Sequence, residues 1–403
     1  NILLINHYAG TPSLGMEYRP YYLAREWVRA GHRVTVVAAN FSHVRTHQPQ
    51  AGEEEVDGIT YRWLPTPGYQ GNGLGRVRNL WHFLRQVWQR APALVTDCQP
   101  DMVIASSTYP MDIWVARRIA RLAGAKLVYE VHDLWPLSPI ELSGMSPNHP
   151  FIVLCQAAEN YAYRHSDVVI SMACKADSYM AEHGLDLRKF HHIPNGISPE
   201  EWVDQPALTA TRLSAHLQSI KTEGKTVVGY AGSHGLPNAL DFFLDAAALL
   251  QDMPLAFVLV GDGHEKQRLE QRVKVEGLRN VAFFDPVPKA QIPSLLQQFD
   301  IAYIGWQRVP LYRFGIAPNK LMDYMMARCA VLHSVEAGND PVAEANCGLT
   351  VAPESAVAIA DGLRRLTSVG PTARHSMGVR GRAHVLSHHT YPVLAQRFLQ
   401  AIS

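Results

Sequence analysis

No CxxC pair and no HExxH segment occurs anywhere in these 403 residues. The five cysteines, Cys98, Cys155, Cys174, Cys329 and Cys347, are odd in number and far apart. That argues against a disulfide framework or a zinc site and suits a reducing compartment. The 19 histidines invite a metal reading. However, His191–His192 and His388–His389 put neighbours on different faces of a strand or helix, so surface and loop histidines are the plainer expectation. Apolar runs of bilayer-spanning length are missing too. The stretch NILLINHYAG has no basic region and no small-residue cleavage site, and it reads as a first strand rather than a secretory signal. Excess charge of either sign is also lacking. The 37 Lys and Arg stand against 36 Asp and Glu, so no global field points to nucleic acid.

What is present is an alternation. At this length, with 47% hydrophobic and 18% charged residues, two soluble domains are expected. The first half offers strands in NILLINH, HRVTVVAA, ITYRWL, DMVIASS and KLVYEV. A helix over 17–30 carries Tyr21, Leu23, Ala24, Trp27 and Val28 at helical spacing. The second half offers KTVVGYAG, LAFVLVGDG, NVAFFD, IAYIGW and AVLHSV, each followed by a helix-like segment. Runs of Val, Ile, Leu and Phe without strict alternation predict parallel strands buried on both faces. Each half is therefore read as a doubly wound α/β unit. Turn residues Pro194, Asn195, Gly196 and Pro199 place the join near residue 200, and the polar stretch 204–225 reads as linker or surface. In such open sheets ligands bind beyond the carboxyl ends of the strands. His132 and Asp133, in EVHDLWP, leave a strand at such an end.

Four segments carry candidate chemistry. VVGYAGSHG runs from a strand into a loop with Gly229, Gly232 and Gly235, where backbone N–H groups can approach an anion; a tight turn needs the same residues. VLVGDGHEK has Gly261 and Gly263, but a dinucleotide fingerprint needs a third glycine at Lys266, which counts against NAD or FAD. In RFGIAPNKLMDYMMA, Pro318 suits the first turn of a helix whose N-terminus attracts phosphate. Lys320 adds a full charge there, and Asp323, about one turn on, is placed for sugar hydroxyls. The alternative is an amphipathic helix with Lys and Asp in solvent. NGLGRVRNLWHFLRQVWQR combines a stripe of Leu80, Phe83, Leu84, Val87 and Trp88 with Arg76, Arg78, Arg85 and Arg90. It fits contact with anionic lipid, and equally a helix that packs on a core.

Taken in order, REWVRAGHRVTVVAA, EVHDLWP, HIPNGI, VGYAG, LVGDG, VPKAQIP, and APNKLMDYM before AVLHS resemble the retaining glycosyltransferases of the GT-B fold, the large family four. Within it the chain looks most like the bacterial amino-sugar transferases of O-antigen and capsule clusters. The resemblance implies two Rossmann-like doubly wound domains facing a cleft. Residues 1–200 would bind acceptor and 201–385 the nucleotide-sugar, with a helix in 386–403 packing back on the first domain. It implies transfer of an N-acetylated hexosamine type of sugar from a nucleoside diphosphate, UDP by preference, to a polyprenyl-diphosphate-linked saccharide. It implies no metal and no cofactor, a cytoplasmic protein with peripheral contact at the inner face of the membrane, and no nucleic-acid partner. A UDP-sugar 2-epimerase-like enzyme and a binding-only member of the fold are the alternatives.

Residue by residue, the resemblance makes His132 the catalytic group beside the donor sugar. Gly15, Gly232, Ser233, His234, Gly261, Pro318, Asn319 and Lys320 would line the donor. The backbone of Val287 would meet the base, and Asp323 the ribose. Arg19, Asn72 and Arg76 are assigned to the acceptor. The chain departs from the pattern in four places. The first acid of the family's paired acids is Gly315. Ser233 and His234 stand where an Arg/Lys pair commonly grips the diphosphate. The N-terminal loop GTPSLGMEYR lacks the double glycine. Arg328, Cys329, Ala330 and Val331 replace a GxPV element.

Overall fold

The computed structural model describes every residue except 16, 17, 72, 210 and 403. It divides into two units, Asn1–Asn195 with Tyr391–Ser403, and Gly196–Thr390. The chain crosses after Asn195, where 200 was expected, and returns at Tyr391, where 386 was expected.

Unit 1 holds an eight-stranded sheet built from β1 (Ile2–Ile5), β2 (Val34–Ala39), β3 (Gly52–Val56), β4 (Ile59–Leu64), β5 (Met102–Ala105), β6 (Lys126–Val131), β7 (Val168–Ser171) and β8 (Phe190–His192). Its order is β3-β4-β2-β1-β5-β6-β7-β8, parallel throughout except for the β3–β4 hairpin. Every residue of β1 is buried, as both faces of a helix-covered parallel sheet require. The covering helices include α1 (Tyr18–Arg29), α2 (Leu74–Cys98) and α3 (Asp112–Ala123). In α1 the predicted face is the buried one, with Tyr21, Leu23, Ala24 and Trp27 inside.

Unit 2 holds a six-stranded, wholly parallel sheet from β9 (Thr226–Ala231), β10 (Leu255–Val260), β11 (Val281–Phe284), β12 (Ile301–Gly305), β13 (Ala330–Ser334) and β14 (Gly348–Thr350), ordered β11-β10-β9-β12-β13-β14. The order reverses between β9 and β12, the crevice where such sheets bind ligands. Three helices matter below: α4 (Asn319–Met326), α5 (Ala356–Ser368) and α6 (Gly370–His388). The last helix, α7 (Tyr391–Gln400), belongs to unit 1. Tyr391 stacks on Tyr22 at 4.7 Å, and Phe398 meets Trp27 edge-on at 5.0 Å.

The structure differs from the sequence reading in three ways. The strands β3, β7, β8 and β14 were not expected. β3 is GEEEV, almost wholly exposed, and it is held by pairing with β4, where Arg62 reaches Glu53 at 3.1 Å. The others have three or four residues, too few to show a period. The stretch 204–225 is not all linker: it contains the helix Thr211–Thr222, which buries Leu213, Leu217 and Ile220 in the unit 2 core. In α2, Leu80, Phe83, Leu84 and Val87 are core residues, so that stripe faces inward. Among the described residues no helix is long and apolar enough to cross a membrane.

Candidate functional site

In unit 2 the site is built where β9 and β10 end. Gly261 leaves β10 so close to the β9 exit that a Cβ there would lie 1.9 Å from the Gly232 carbonyl oxygen. The two loops are stitched together by Gly232 N–H to the Val260 carbonyl at 3.0 Å and His234 N–H to the Asp262 carbonyl at 2.8 Å. Gly232 has φ +152, and a Cβ on it would strike Lys320 Cε at 2.6 Å. The missing side chains at these positions therefore create a slot, and the Lys320 ammonium fills it.

Tyr230, the penultimate residue of β9, carries that ammonium. Lys320 Nζ donates to Tyr230 Oη at 2.8 Å and to Asn238 Oδ1 at 3.2 Å, and it lies 4.1 Å from the Tyr230 ring centre. Tyr230 Oη and Asn238 Nδ2 both donate to the Ser233 carbonyl, at 2.6 and 3.0 Å. Burial pushes the Lys320 pKa down to about 7, and no carboxylate pairs with it among the described residues. Such a cation gains most when an anion arrives. Two kinds of N–H group lie nearby. Ser233 and Gly235 N–H have no acceptor among the described residues, and the first turn of α4 leaves Asn319 and Lys320 N–H without intrahelical partners. Pro318 is the cap of α4 rather than its first helical residue.

Asp323 lies one turn beyond Lys320, half-buried, with no hydrogen-bond partner among the described residues. Burial pushes its carboxyl up to about 7, with Lys289 opposing and Glu201 adding to the rise. Val287, just past β11, is half-buried against the unit 2 core. The resemblance assigns His234 to the loop under the diphosphate, but its side chain turns away from the loop's surface. The ring is fully buried, both nitrogens lack partners among the described residues, and burial with Lys266 and Lys320 nearby pushes its pKa down to about 4. A neutral, sealed imidazole cannot reach a diphosphate, so any contribution from position 234 is through the loop's shape. Gly315, where an acid was expected, has φ +104 and follows the turn Pro310–Phe314. A side chain is strained there. Beside it lies a cavity of about 450 Å³ lined by Arg308, Arg313 and Glu336 among others, and Glu336 is the acid in that neighbourhood.

In unit 1 the ends of β1, β5 and β6 bring polar groups together. His132 Nε2 lies 3.0 Å from Ser106 Oγ and 3.3 Å from Glu130 Oε2. Ser106 donates to Glu130 at 2.6 Å, so its oxygen is left to accept from His132 Nε2–H. Glu130 is fully buried in β6. Burial alone would raise its pKa, but Arg19, His132 and Ser106 together hold it well below the usual carboxylate range. The Arg19 assignment is corrected here. Arg19 is buried and donates to Glu130 at 3.0 Å, to the Pro194 carbonyl at 2.5 Å and to the Ile193 carbonyl at 3.0 Å. It is an internal strut between α1, β6 and the chain after β8, not an acceptor contact.

Beneath this group, His7 is buried with Nε2 2.6 Å from Asn79 Oδ1 and Nδ1 2.6 Å from Tyr109 Oη. Asn79 Nδ2 donates to the Pro67 carbonyl, which orients the amide and assigns the His7 proton to Nε2. Burial pushes the His7 pKa down to about 3, so this floor is neutral. Arg76 donates to Tyr8 Oη at 3.2 Å and covers its ring. Gly15 has φ +98 and packs where a Cβ would meet Thr46 Oγ1 at 2.8 Å, which pins the β1–α1 loop to the exit of β2. Asn72 lies outside the described residues. Sequence reading missed Tyr230, Asn238, Glu130 and Ser106. The available signals were an aromatic just before a Gly-rich exit and a lone acid in an otherwise apolar strand.

Two family models meet this geometry. The Glycosyl transferase 4-like domain matches residues 15–196, and Glycosyl transferases group 1 matches 225–368. The chain belongs to the glycosyltransferases of the GT-B fold. Among curated relatives it is 26% identical over 257 residues to the putative colanic acid biosynthesis glycosyl transferase WcaI of Escherichia coli K12. That match covers 62% of each protein, less than two thirds of the relative's length. Among solved structures, sucrose-phosphate synthase of Thermosynechococcus elongatus has a TM-score of 0.73 at 16% identity, covering 100% of this chain and 98% of that one. Anabaena HepE in complex with UDP and glucose has a TM-score of 0.66 at 17% identity, covering 100% and 98%. These two likenesses concern the fold.

The Asp323 carboxyl gives a test with a sign. Because its folded pKa is raised to about 7, its contribution to stability is full below about pH 4 and is lost as pH rises through 7. Asp323→Asn should therefore melt above the wild type at pH 8, with the difference vanishing toward pH 4. The same variant should bind nucleotide more weakly by about 1–3 kcal/mol in titration calorimetry, the loss of a charge-assisted hydrogen bond. Unchanged affinity would remove Asp323 from the nucleotide site.

Proposed function

We propose that this chain transfers an N-acetylated hexosamine type of sugar from a nucleoside diphosphate, UDP by preference, to a lipid-linked saccharide in bacterial surface-polysaccharide biosynthesis. The observation that carries the proposal is the Lys320 ammonium, held in a glycine slot by Tyr230 and Asn238 without a carboxylate partner. A diphosphate leaving group needs such a cation, together with the N–H groups of the α4 start and the 233–235 loop. The relatives support the polysaccharide assignment through the description of WcaI, and UDP through the HepE complex.

Charge on the departing diphosphate is met by protein groups, with no metal required. Bound diphosphate raises the Lys320 pKa, so the ammonium is fully charged when the bond to the sugar breaks. The leaving phosphate takes the acceptor hydroxyl proton on the face it departs from, which retains the anomeric configuration. His132 hydrogen-bonds the donor sugar. Its Nε2–H is tied to Ser106, and the negative charge of Glu130 behind it favours positive charge building at the anomeric carbon. Gly315 supports a binding-only reading, because it cannot supply the family's first acid. Tight UDP binding with neither transfer nor donor hydrolysis would favour that alternative.

The membrane contact is proposed for the outward side of α2. Leu74, Val77, Trp81 and Trp88 are exposed there, alongside Arg78 and Arg85. Next to them a cavity of about 340 Å³ is lined by Trp88, Trp114, Arg117, Arg118 and Arg121, with Arg118 stacked 4.6 Å over Trp88. Exposed tryptophans among arginines suit an anionic headgroup layer.

Four measurements follow. A thermal-shift screen against UDP, GDP, ADP and their sugars should show stabilisation by one nucleotide class, and transfer should continue in EDTA. Loss of activity on chelation, restored by magnesium or manganese, would refute the metal-free reading. His132→Ala should lower kcat by about 10²-fold or more while nucleotide affinity stays nearly unchanged. A stable His132→Ala protein with near-normal kcat would show the histidine to be scaffold only. Arg78→Glu with Arg85→Glu should reduce sedimentation with anionic vesicles. If the wild type does not bind such vesicles even at low salt, the membrane contact is wrong.

A further inference from the structure

Arg328 stands at a position that does not suit it. It follows the end of α4 with φ +64, the left-handed conformation that a helix terminus usually gives to Gly or Asn. Its guanidinium makes no hydrogen bond or ion pair with the described residues, while its N–H donates to the Met325 carbonyl at 3.1 Å. Its backbone is held fast, since a Cβ on Gly378 of α6 would lie 1.8 Å from the Arg328 carbonyl oxygen.

The guanidinium opens onto a cavity of about 420 Å³ that Arg374, His375 and Arg382 of α6 also line. Arg374 is buried and caps α5 by donating to the Leu366 and Thr367 carbonyls at 3.1 and 3.2 Å. The Arg382 guanidinium has no hydrogen-bond or ion-pair partner among the described residues. Burial and the nearby Arg328 both lower its pKa, so two guanidiniums repel across the cavity. The lining has one acid, Asp300, and its Oδ2 already accepts from Val227 N–H at 2.8 Å. The first turns of α6, a 19-residue helix, add their partial positive charge.

This cavity lies at the other end of the sheet from the nucleotide loops. Asp300 immediately precedes β12 and Arg328 lies just before β13, whereas the donor loops follow strands. α4 spans the interval, about 12 Å for eight residues, with Lys320 at its start and Arg328 past its end. We propose that unit 2 contains a second anion site here, formed by Arg328, Arg382 and Arg374, that takes a phosphate-type anion. The assignment does not depend on the nucleotide reading. A free phosphate or diphosphate and a lipid headgroup phosphate would offer it the same chemistry.

The test is a melting series of the full chain in phosphate and diphosphate, with chloride controls at matched ionic strength. Wild type should gain about 2–4 °C saturably over chloride. Arg328→Gly places at φ +64 the residue that fits it, so without phosphate it should melt above wild type, yet it should lose the phosphate gain. Arg382→Gln should lose that gain too, and both variants should keep the full shift given by the nucleotide. If free phosphate gives no gain but both variants lose wild-type binding to phosphatidylglycerol vesicles, the site stands and the headgroup is its source. A phosphate gain that both variants retain would overturn the proposal. So would the joint absence of a phosphate gain and of any vesicle-binding difference.

Discussion

Two backbones touch in unit 2 where neither has a side chain, and the site's chemistry depends on that contact. The β10 exit at Gly261 rests on the Gly232 carbonyl, and the Gly232 position stays empty enough for a lysine tip. Any Cβ at either place would separate the loops or evict the ammonium. Tyr230 and Asn238 then hold Lys320 in a setting that removes water without supplying a counter-charge. The helix that carries Lys320 also carries Asp323 a turn later, so cation and carboxyl are fixed relative to each other by helical geometry alone.

Unit 1 organises its polar ends differently, around a buried charge. Glu130 sits in the middle of a sheet with no solvent, which would be costly unless paired. Arg19 neutralises it from α1, Ser106 hydrogen-bonds it from just past β5, and Asn6, just past β1, secures the Ser106 carbonyl at 2.6 Å. His132 is the last member of this chain of contacts and the one nearest solvent. Its ring orientation is therefore inherited from residues on α1, on β6 and just past β5.

Much of this was legible in the sequence. The long apolar strands, the loops after them and the helix beginning at Asn319 follow from period and turn chemistry, and these placed His132, Gly232, Lys320 and Asp323 at strand exits or a helix start. What stayed hidden depends on partners far along the chain. β3 has no apolar signal and exists because β4 offers it a ladder. Arg19 looked like a ligand contact because nothing in its local sequence shows that Glu130 and the 193–194 carbonyls await it. His234 was placed by the resemblance alone; only packing against Tyr230 and Phe283 reveals that its ring points inward. In α2 the periodicity was sound, but it marked the core face, and the exposed tryptophan at position 81 lay on the other side.

The chain passes between the units twice, and the two passages run side by side. Ile197 bridges Thr390, and its N–H donates to the His389 carbonyl at 2.8 Å. Unit 2 is thus an insertion within unit 1, whose core is closed by Tyr391, Leu394 and Phe398 against α1. During synthesis, roughly 195 residues that belong to another core must emerge before that closure is available. Until then the Trp27 face of α1 has no cover. The nascent first unit must wait, part-finished, while the second one folds.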